Sequence, residues 1–216
     1  MATSNPSREA ILARIREGLQ TPIAPIETKS FAGPIFEPIA DPLERFEQEC
    51  KANLMEFHLT ADSAGSAQVM AQVFASLPAG EIFVQDDPKL RRLMEAAGGA
   101  QQVRWSSEGK PAESSRATVT LAEALVAQTG SIFVTSACGG RGATVVAPVH
   151  VVYATTSQLV PDLVTALRNA TAEGKMEKNS YGCMISGSSR TADIEKILVQ
   201  GAHGPMRLVM LLEKNT

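Results

Sequence analysis

From residue 56 onward, short apolar segments alternate with segments whose apolar residues recur at helical spacing. Short segments rich in β-branched residues predict buried strands, and the periodic ones predict helices. The predicted strands are 57–60, 81–84, 103–105, 117–121, 131–135, 149–154, 183–186 and 208–212. The predicted helices are 66–77, 88–97, 161–171 and 192–200, with a helical turn or short helix at 122–127. This alternation indicates an α/β fold, a three-layer α/β/α sandwich with a parallel or mixed sheet.

The first part of the chain has a different pattern. Residues 7–19 predict a short amphipathic helix, and five of the twelve prolines follow between Pro22 and Pro42. Because proline fixes φ and lacks a backbone donor, this stretch predicts a linker or an extended arm. Asp41 before Pro42 predicts an N-cap and the start of a helix that ends near residue 53. We therefore expect an N-terminal helix and proline-rich arm (1–44) and an α/β domain (45–216).

The composition of the chain indicates which kinds of binding partner are not expected. Lys and Arg total 20 and Asp and Glu total 23, so a net charge of -3 predicts no binding to nucleic acid or to anionic lipid. We see no signal-peptide pattern and no apolar run of membrane-spanning length, which predicts a cytoplasmic protein. Three widely spaced cysteines favour a reducing compartment and predict neither a disulfide framework nor a metal or iron-sulfur site held by this chain alone.

One candidate site is the loop that follows the strand at 183–186. Ser186, Gly187 and Ser189 precede Arg190, and Thr191 is placed to cap the predicted helix at 192–200. Free amide groups at a helix start, together with a guanidinium, favour a carboxylate or phosphate ligand. The same residues also suit an ordinary turn whose hydroxyls bond to their own backbone.

Two further segments contain residues that suit ligand binding. In the first, Thr129 and Ser131 flank Gly130, which allows close approach of a ligand or forms a tight turn. In the second, His203 precedes Gly204 and is either a general acid or base or a hydrogen-bonded loop residue.

Other histidine, arginine and glycine patterns exclude some classes of site. Arg141 in a glycine-rich loop either binds a carboxylate or is a solvated side chain. His150 lies within a predicted strand, which predicts a buried histidine whose ring is hydrogen-bonded. The chain has no P-loop, dinucleotide-binding fingerprint or G-x-S-x-G elbow, so nucleotide binding and acyl-enzyme hydrolysis are not indicated.

Taken together, these segments resemble a known family. Thr129-Gly-Ser131, Arg141, Pro148-x-His150, the run from Ile185 through Ser-Gly-Ser-Ser-Arg-Thr-Ala-Asp-Ile to Glu195, and Gly201-x-His203-Gly-Pro205 occur in the order and spacing of the LUD domain, the lactate-utilisation protein C family. The resemblance covers roughly residues 45–213.

The resemblance implies an α/β/α fold similar to the superfamily of ribose-phosphate isomerase, glucosamine-phosphate deaminase and coenzyme A transferase. It also implies a cluster-free accessory subunit in bacterial oxidation of L-lactate to pyruvate. Two iron-sulfur proteins would then be the partners, and the clusters would lie on them. We expect the site for a small carboxylate or other anion to contain Arg190 and His203 as catalytic candidates, and the ligand-binding residues Thr129, Gly130, Ser131, Arg141, Ser186, Gly187, Ser189, Thr191 and Gly204.

Two positions depart from the family pattern, since Gln128 stands where members often have Glu and Ser188 where they often have Pro. The first change removes a possible base or nucleophile, and the second gives the loop greater backbone freedom. Two alternatives therefore stay open: a stand-alone enzyme acting on a phosphate or coenzyme A ligand, and a non-catalytic assembly or regulatory partner of the iron-sulfur subunits.

Overall fold

A computed structural model describes residues 6–20, 37–99, 102–192, 198–200 and 204–215. The chain divides into two compact units, residues 1–38 and 39–216. Within the first unit, helix α1 spans Pro6–Gln20, as its apolar spacing predicts. The proline-rich stretch from 21 to 36 lies outside the described residues.

The second unit contains the remaining elements. Its helices are α2 (Pro42–Ala52), α3 (Ser63–Ala75), α4 (Pro88–Ala97), α5 (Leu163–Ala172) and α6 (Lys175–Lys178). Its strands are β1 (Glu56–Thr60), β2 (Glu81–Val84), β3 (Gln102–Trp105), β4 (Ala117–Leu121), β5 (Ala124–Val126), β6 (Ser131–Thr135), β7 (Val149–Thr155), β8 (Leu159–Val160), β9 (Gly182–Ile185), β10 (Arg190–Ala192), β11 (Leu198–Gln200) and β12 (Arg207–Glu213). No helix in the described ranges is long and apolar enough to cross a membrane.

Aspartate side chains begin the longer helices of this unit. Each one accepts a hydrogen bond from a backbone N–H of the first turn, which satisfies a donor that the helix itself leaves unpaired. The capping residues are Asp41 for α2, Asp62 for α3, Asp87 for α4 and Asp162 for α5. The predicted start of α2 at Asp41-Pro42 and the predicted helix at 88–97 are confirmed.

The central sheet has the strand order β1-β12-β7-β4-β2-β3 in the described part of the chain, and every neighbouring pair is parallel. Its strands are buried on both faces because alternate residues enter different cores. On β7, Val151 and Tyr153 pack with α3 and α4, whereas Val152 and Ala154 face the opposite side. This arrangement explains why the sequences of these strands are almost continuously apolar.

A second sheet, with the order β8-β5-β6-β9, lies on that opposite side together with α2. Phe46 of α2, Ile132 of β6 and Met210 of β12 are fully buried in the core between them. The far face of the second sheet packs against Ala166 and Ala170 of α5. The predicted α/β class is therefore confirmed, with a parallel central sheet flanked by helices.

Two predicted helices are wrong. Residues 190–192 and 198–200 form the antiparallel pair β10 and β11, so no helix spans 192–200. Residues 124–126 form β5 rather than a helical turn, because Leu125 pairs with both Ile132 and Leu159. In each case pairing with another strand replaces the local helical preference that the sequence indicates.

Candidate functional site

The first predicted loop, around Gly130, packs against helix α2. Gly130 has φ +60, and a Cβ atom placed on it would lie 2.7 Å from Glu49 Cβ and 2.9 Å from the Cys50 nitrogen. The Asn53 side-chain amide donates a hydrogen bond to the Thr129 carbonyl oxygen at 2.9 Å. The glycine is therefore required for close helix packing, because the space beside its Cα is filled by protein.

Three predicted hydroxyl residues meet beside this loop. The Thr129 and Ser131 hydroxyl oxygens lie 2.6 Å apart, and the Ser131 and Ser186 oxygens also lie 2.6 Å apart. Ser131 is 2% exposed, whereas Ser186 is exposed at the surface. This row of hydroxyls joins two loops that are 55 positions apart in the sequence.

The third predicted loop contacts the Ser186 loop through Ser189. Its backbone N–H donates to the Pro205 carbonyl oxygen at 2.9 Å, and Gly204 packs against its side chain. Gly187, with φ +96, makes the turn between Ser186 and the buried Ser188. We call the group of Thr129, Ser131, Ser186, Ser189 and Pro205 the loop cluster.

The loop cluster lies at the amino-terminal edge of the central sheet. Asn53, which precedes β1, donates a hydrogen bond to Thr129 of the cluster, and Pro205, itself a member, precedes β12. Ligands of open α/β sheets usually bind at the opposite, carboxyl-terminal edge. The position of the cluster is therefore an exception to the general placement expected for this class of fold.

Arg141 lies apart from this cluster. Its guanidinium stacks on Tyr181, just before β9, where Gly182 pairs with Thr135 at the end of β6. Ser131 and Ser186 lie at the other end of the same strand pair. The structure therefore places Arg141 apart from these serines, because the length of β6, about 14 Å, separates them.

The remaining predicted residues follow the Ser186 loop or precede Gly204. The backbones of Arg190 and Thr191 pair with Gln200 and Val199 in the β10–β11 hairpin, so Thr191 does not cap a helix. Among the residues after Ser189 that the structure describes, no helix start is available to bind an anion. His203 and the side chains of Arg190 and Thr191 lie outside the described residues.

Ser131→Ala tests how much the hydroxyl row stabilises the fold. The substitution removes both hydrogen bonds of a buried hydroxyl, so we expect the free energy of unfolding to fall by about 1–2 kcal/mol. Urea denaturation measures this change. Ser114→Ala, at an exposed loop position, is the matched control and should change the free energy by less than about 0.5 kcal/mol.

A second polar cluster, which sequence reasoning missed, lies at the carboxyl-terminal edge of the central sheet. Glu213 at the end of β12 accepts hydrogen bonds from Tyr153 at 2.9 Å and from Ser66 at 2.8 Å, and Thr60 lies 2.7 Å from Ser66. Burial raises the pKa of Tyr153, and its hydrogen bond to Glu213 raises it further. Because Ser66 and Glu213 are 147 positions apart, only the strand order reveals their contact.

His150 is fully buried on β7. Its Nε2 atom lies 2.8 Å from the Thr120 hydroxyl, while Nδ1 finds no hydrogen-bond partner among the described residues. Burial lowers the pKa of His150 to about 4, so the ring is neutral at pH 7. The sequence predicts a satisfied buried histidine, and the structure shows one ring nitrogen bonded.

The cysteine side chains are free thiols, and burial raises the pKa of Cys50 to about 12 and that of Cys138 to about 11. Both are therefore protonated at neutral pH and poor nucleophiles. Within the described ranges, no group of three or more His, Cys, Asp or Glu side chains is placed to hold a metal ion.

The chain is similar to several curated proteins called Lactate utilization protein C. It is 35% identical to that of Bacillus pumilus over 118 residues, which are 50% of this chain and 49% of the relative. The match to the Bacillus subtilis protein is 24% identical and covers 71% of each chain, and that to the Geobacillus thermodenitrificans protein is 27% identical and covers 80% and 78%. The first match thus spans about half the length of that relative.

A solved structure and a family model complete the comparison. The crystal structure of a DUF162 family protein from Deinococcus radiodurans aligns with a TM-score of 0.62 at 15% identity, covering 81% of this chain and 96% of that one, which shows a common fold. The model of the LUD domain matches residues 43–212, from the first turn of α2 almost to the end of the last strand. The resemblance found in the sequence is thereby confirmed, and the chain belongs to the LUD domain family.

Proposed function

We propose that this chain is a cluster-free accessory subunit of a bacterial system that oxidises L-lactate to pyruvate, and that it binds a small carboxylate at the loop cluster. The names of its relatives support the lactate-utilisation role. The iron-sulfur clusters of such a system would belong to two partner proteins.

The hydrogen bond between Ser131 and Ser186 is the observation that carries the proposed binding site. Three hydroxyl groups in a row supply three protons but need only two for the bonds between them. When Thr129 donates to Ser131 and Ser131 to Ser186, the remaining proton belongs to the exposed Ser186 hydroxyl. A row of hydrogen bonds polarises its last donor, which favours a negatively charged acceptor such as a carboxylate.

Ser186→Ala tests the binding site by isothermal titration calorimetry with L-lactate and pyruvate. Loss of a charge-assisted hydrogen bond should weaken binding by about tenfold or more. Arg190→Lys should also weaken binding, because lysine lacks the two-pronged geometry with which arginine binds a carboxylate. Ser114→Ala, the exposed control, should bind as the wild type does. Equal affinity of Ser186→Ala and wild type for both acids would refute the loop cluster as the site.

The accessory role has a separate test. Purified iron-sulfur partners should oxidise lactate faster when this protein is added, and the protein should co-purify with them. Oxidation that proceeds at the same rate without this chain would contradict the role, whatever the calorimetry shows.

A further inference from the structure

A cavity of about 210 Å³ lies between the second sheet and helix α5. Glu123 borders it where the chain leaves β4, and Ser157 and Gln158 border it just after β7. Strands β4 and β7 are neighbours in the central sheet. The cavity therefore lies beyond the carboxyl ends of two adjacent parallel strands, which is where open α/β sheets bind their ligands.

The wall of the cavity is apolar inside and polar at its rim. Ala124, Phe133, Ala166 and Ala170 are buried on the inner side. The rim carries the charged or polar side chains of Glu123, Asn169, Glu173 and Lys175. A ligand with a short apolar part and one charged end suits such a wall.

Lys175 is the cation of this rim, and two carboxylates bind it. Its Nζ atom lies 3.0 Å from Glu123 and 2.8 Å from Glu173. Burial opposes the charge of Lys175, but the hydrogen bonds to Glu173 and Glu123 raise its pKa overall. The side chain is therefore an ammonium ion at neutral pH and a donor to acceptors of negative charge.

The two carboxylates differ in how firmly they are held. Glu123 is 23% exposed and accepts a second hydrogen bond, from the Thr135 hydroxyl at 2.9 Å. Glu173 is 57% exposed and follows the last residue of α5. Because an exposed ion pair contributes little net stability, Glu173 can leave Lys175 at small cost, whereas Glu123 stays in place.

We propose that this cavity binds a small monocarboxylate, whose carboxylate replaces that of Glu173 on Lys175 and whose short carbon chain packs on Phe133 and Val160. Lys175 keeps two carboxylate partners before and after the exchange, since one carboxylate replaces another. Asn169 offers an amide donor at the rim, and Glu123 offers an acceptor for a hydroxyl group of the ligand. Propionate, L-lactate and pyruvate have the required size and charge.

This site is separate from the loop cluster. Ser131 and Thr135 lie at opposite ends of β6, a separation of about 14 Å. The inference stands on the cavity and its ion pairs alone, so it does not depend on the proposed lactate-utilisation role.

The test is a titration of the whole chain with propionate and L-lactate, followed by NMR of the Val160, Ala124 and Ala166 methyl groups. In the wild type these signals should shift with added acid and give a dissociation constant. Lys175→Met should weaken that binding by about tenfold or more, because a charge-assisted hydrogen bond is lost. Lys178→Met, an exposed residue of the same short helix, is the matched control and should leave binding unchanged.

Glu173→Gln gives the opposite prediction and does not disturb the core. Removal of the competing carboxylate should tighten binding by about twofold to fivefold. Propionamide, the uncharged analogue of propionate, should not shift the methyl signals. Unmoved methyl signals in the wild type, unchanged affinity in Lys175→Met or weaker binding in Glu173→Gln would each overturn the proposal.

Ser186→Ala separates this inference from the proposed function. It should leave the methyl shifts of the cavity intact, since Ser186 bonds to Ser131 of the loop cluster and does not line the cavity. Lactate binding that is lost in Ser186→Ala but kept in Lys175→Met would overturn the cavity site and support the loop cluster.

Discussion

Gly130→Ala will lower the free energy of unfolding by about 3 kcal/mol. Two physical effects add at this position. With φ +60, an alanine costs about 1 kcal/mol or more in backbone strain. Its Cβ atom would also lie 2.7 Å from Glu49 Cβ and 2.8 Å from the Glu49 carbonyl carbon, so helix α2 must move away.

Gly174→Ala is the matched control for this loss of stability. Gly174 has nearly the same φ, +65, but its nearest atoms belong to the flexible ends of Glu177 and Lys178. Only the backbone strain should therefore appear, about 1 kcal/mol. Urea denaturation of both variants measures the difference. Equal losses for Gly130→Ala and Gly174→Ala would show that contact with α2 does not explain the glycine.

The second large effect is a loss of folding stability at acidic pH. Burial opposes the charge of His150 and lowers its pKa from the ordinary 6.5 to about 4 in the folded chain. When the pH falls below 6.5, the unfolded chain binds a proton at His150 that the folded chain does not. Stability is therefore lost from pH 6.5 downward to about pH 4, by about 3 kcal/mol in all.

Glu56 sets the lower limit of the pH range in which this loss of stability can be assigned to His150. The hydrogen bond from Arg207 lowers the pKa of Glu56 below its usual 4.5, so protonation of Glu56 destabilises the fold only at and below that pH. Between pH 6.5 and 4.5, His150 therefore contributes more to the loss of stability than Glu56 does. The free energy of unfolding, measured by urea denaturation across this range, should fall steadily as the pH falls.

His150→Gln isolates the histidine contribution. Glutamine has no charge to gain and keeps an amide near the Thr120 hydroxyl, so this variant should show a much flatter pH dependence between 6.5 and 4.5. The test depends on how the free energy of unfolding of the variant changes with pH, and not on its value at pH 7. Parallel curves for the variant and the wild type would show that His150 is not the titrating group.

Local chemistry explains why some elements were predictable. Asp41 before Pro42 starts a helix because the aspartate accepts two backbone N–H groups and proline needs no acceptor, and both facts depend on neighbouring residues alone. The apolar run at 149–154 predicts β7 for a similar reason, since burial on both faces leaves its signature in one segment.

Long-range pairing explains the errors. The residues around Asp193 have the spacing of a helix, yet the strands on either side of them pair with one another. Strand β5 has three residues, and its pairing with β6 and β8 overrides the preference of so short a segment. Sequence patterns record local periodicity and do not record which segment will be the partner.

In the candidate sites, too, local features were predictable from the sequence and contacts between distant segments were not. Hydroxyl residues beside Gly130 and Gly187 were identifiable as candidate binding residues, because glycine and serine in loops are distinctive. Their mutual contact was not identifiable, nor was that between Lys175 and Glu123, since each joins distant segments. Arg141 is equally distinctive in the sequence, but the fold places it beside Tyr181 and not beside these hydroxyl residues.

The position of β12 between β1 and β7 also sets an order of folding events. Arg207 at its start contacts Glu56, 151 positions earlier, and β1 has no other strand neighbour within the described sheet. Contacts between such distant segments form late and make folding slow. During synthesis, β1 therefore keeps an unpaired edge until β12 emerges, and during this interval that edge is open to aggregation and to chaperones.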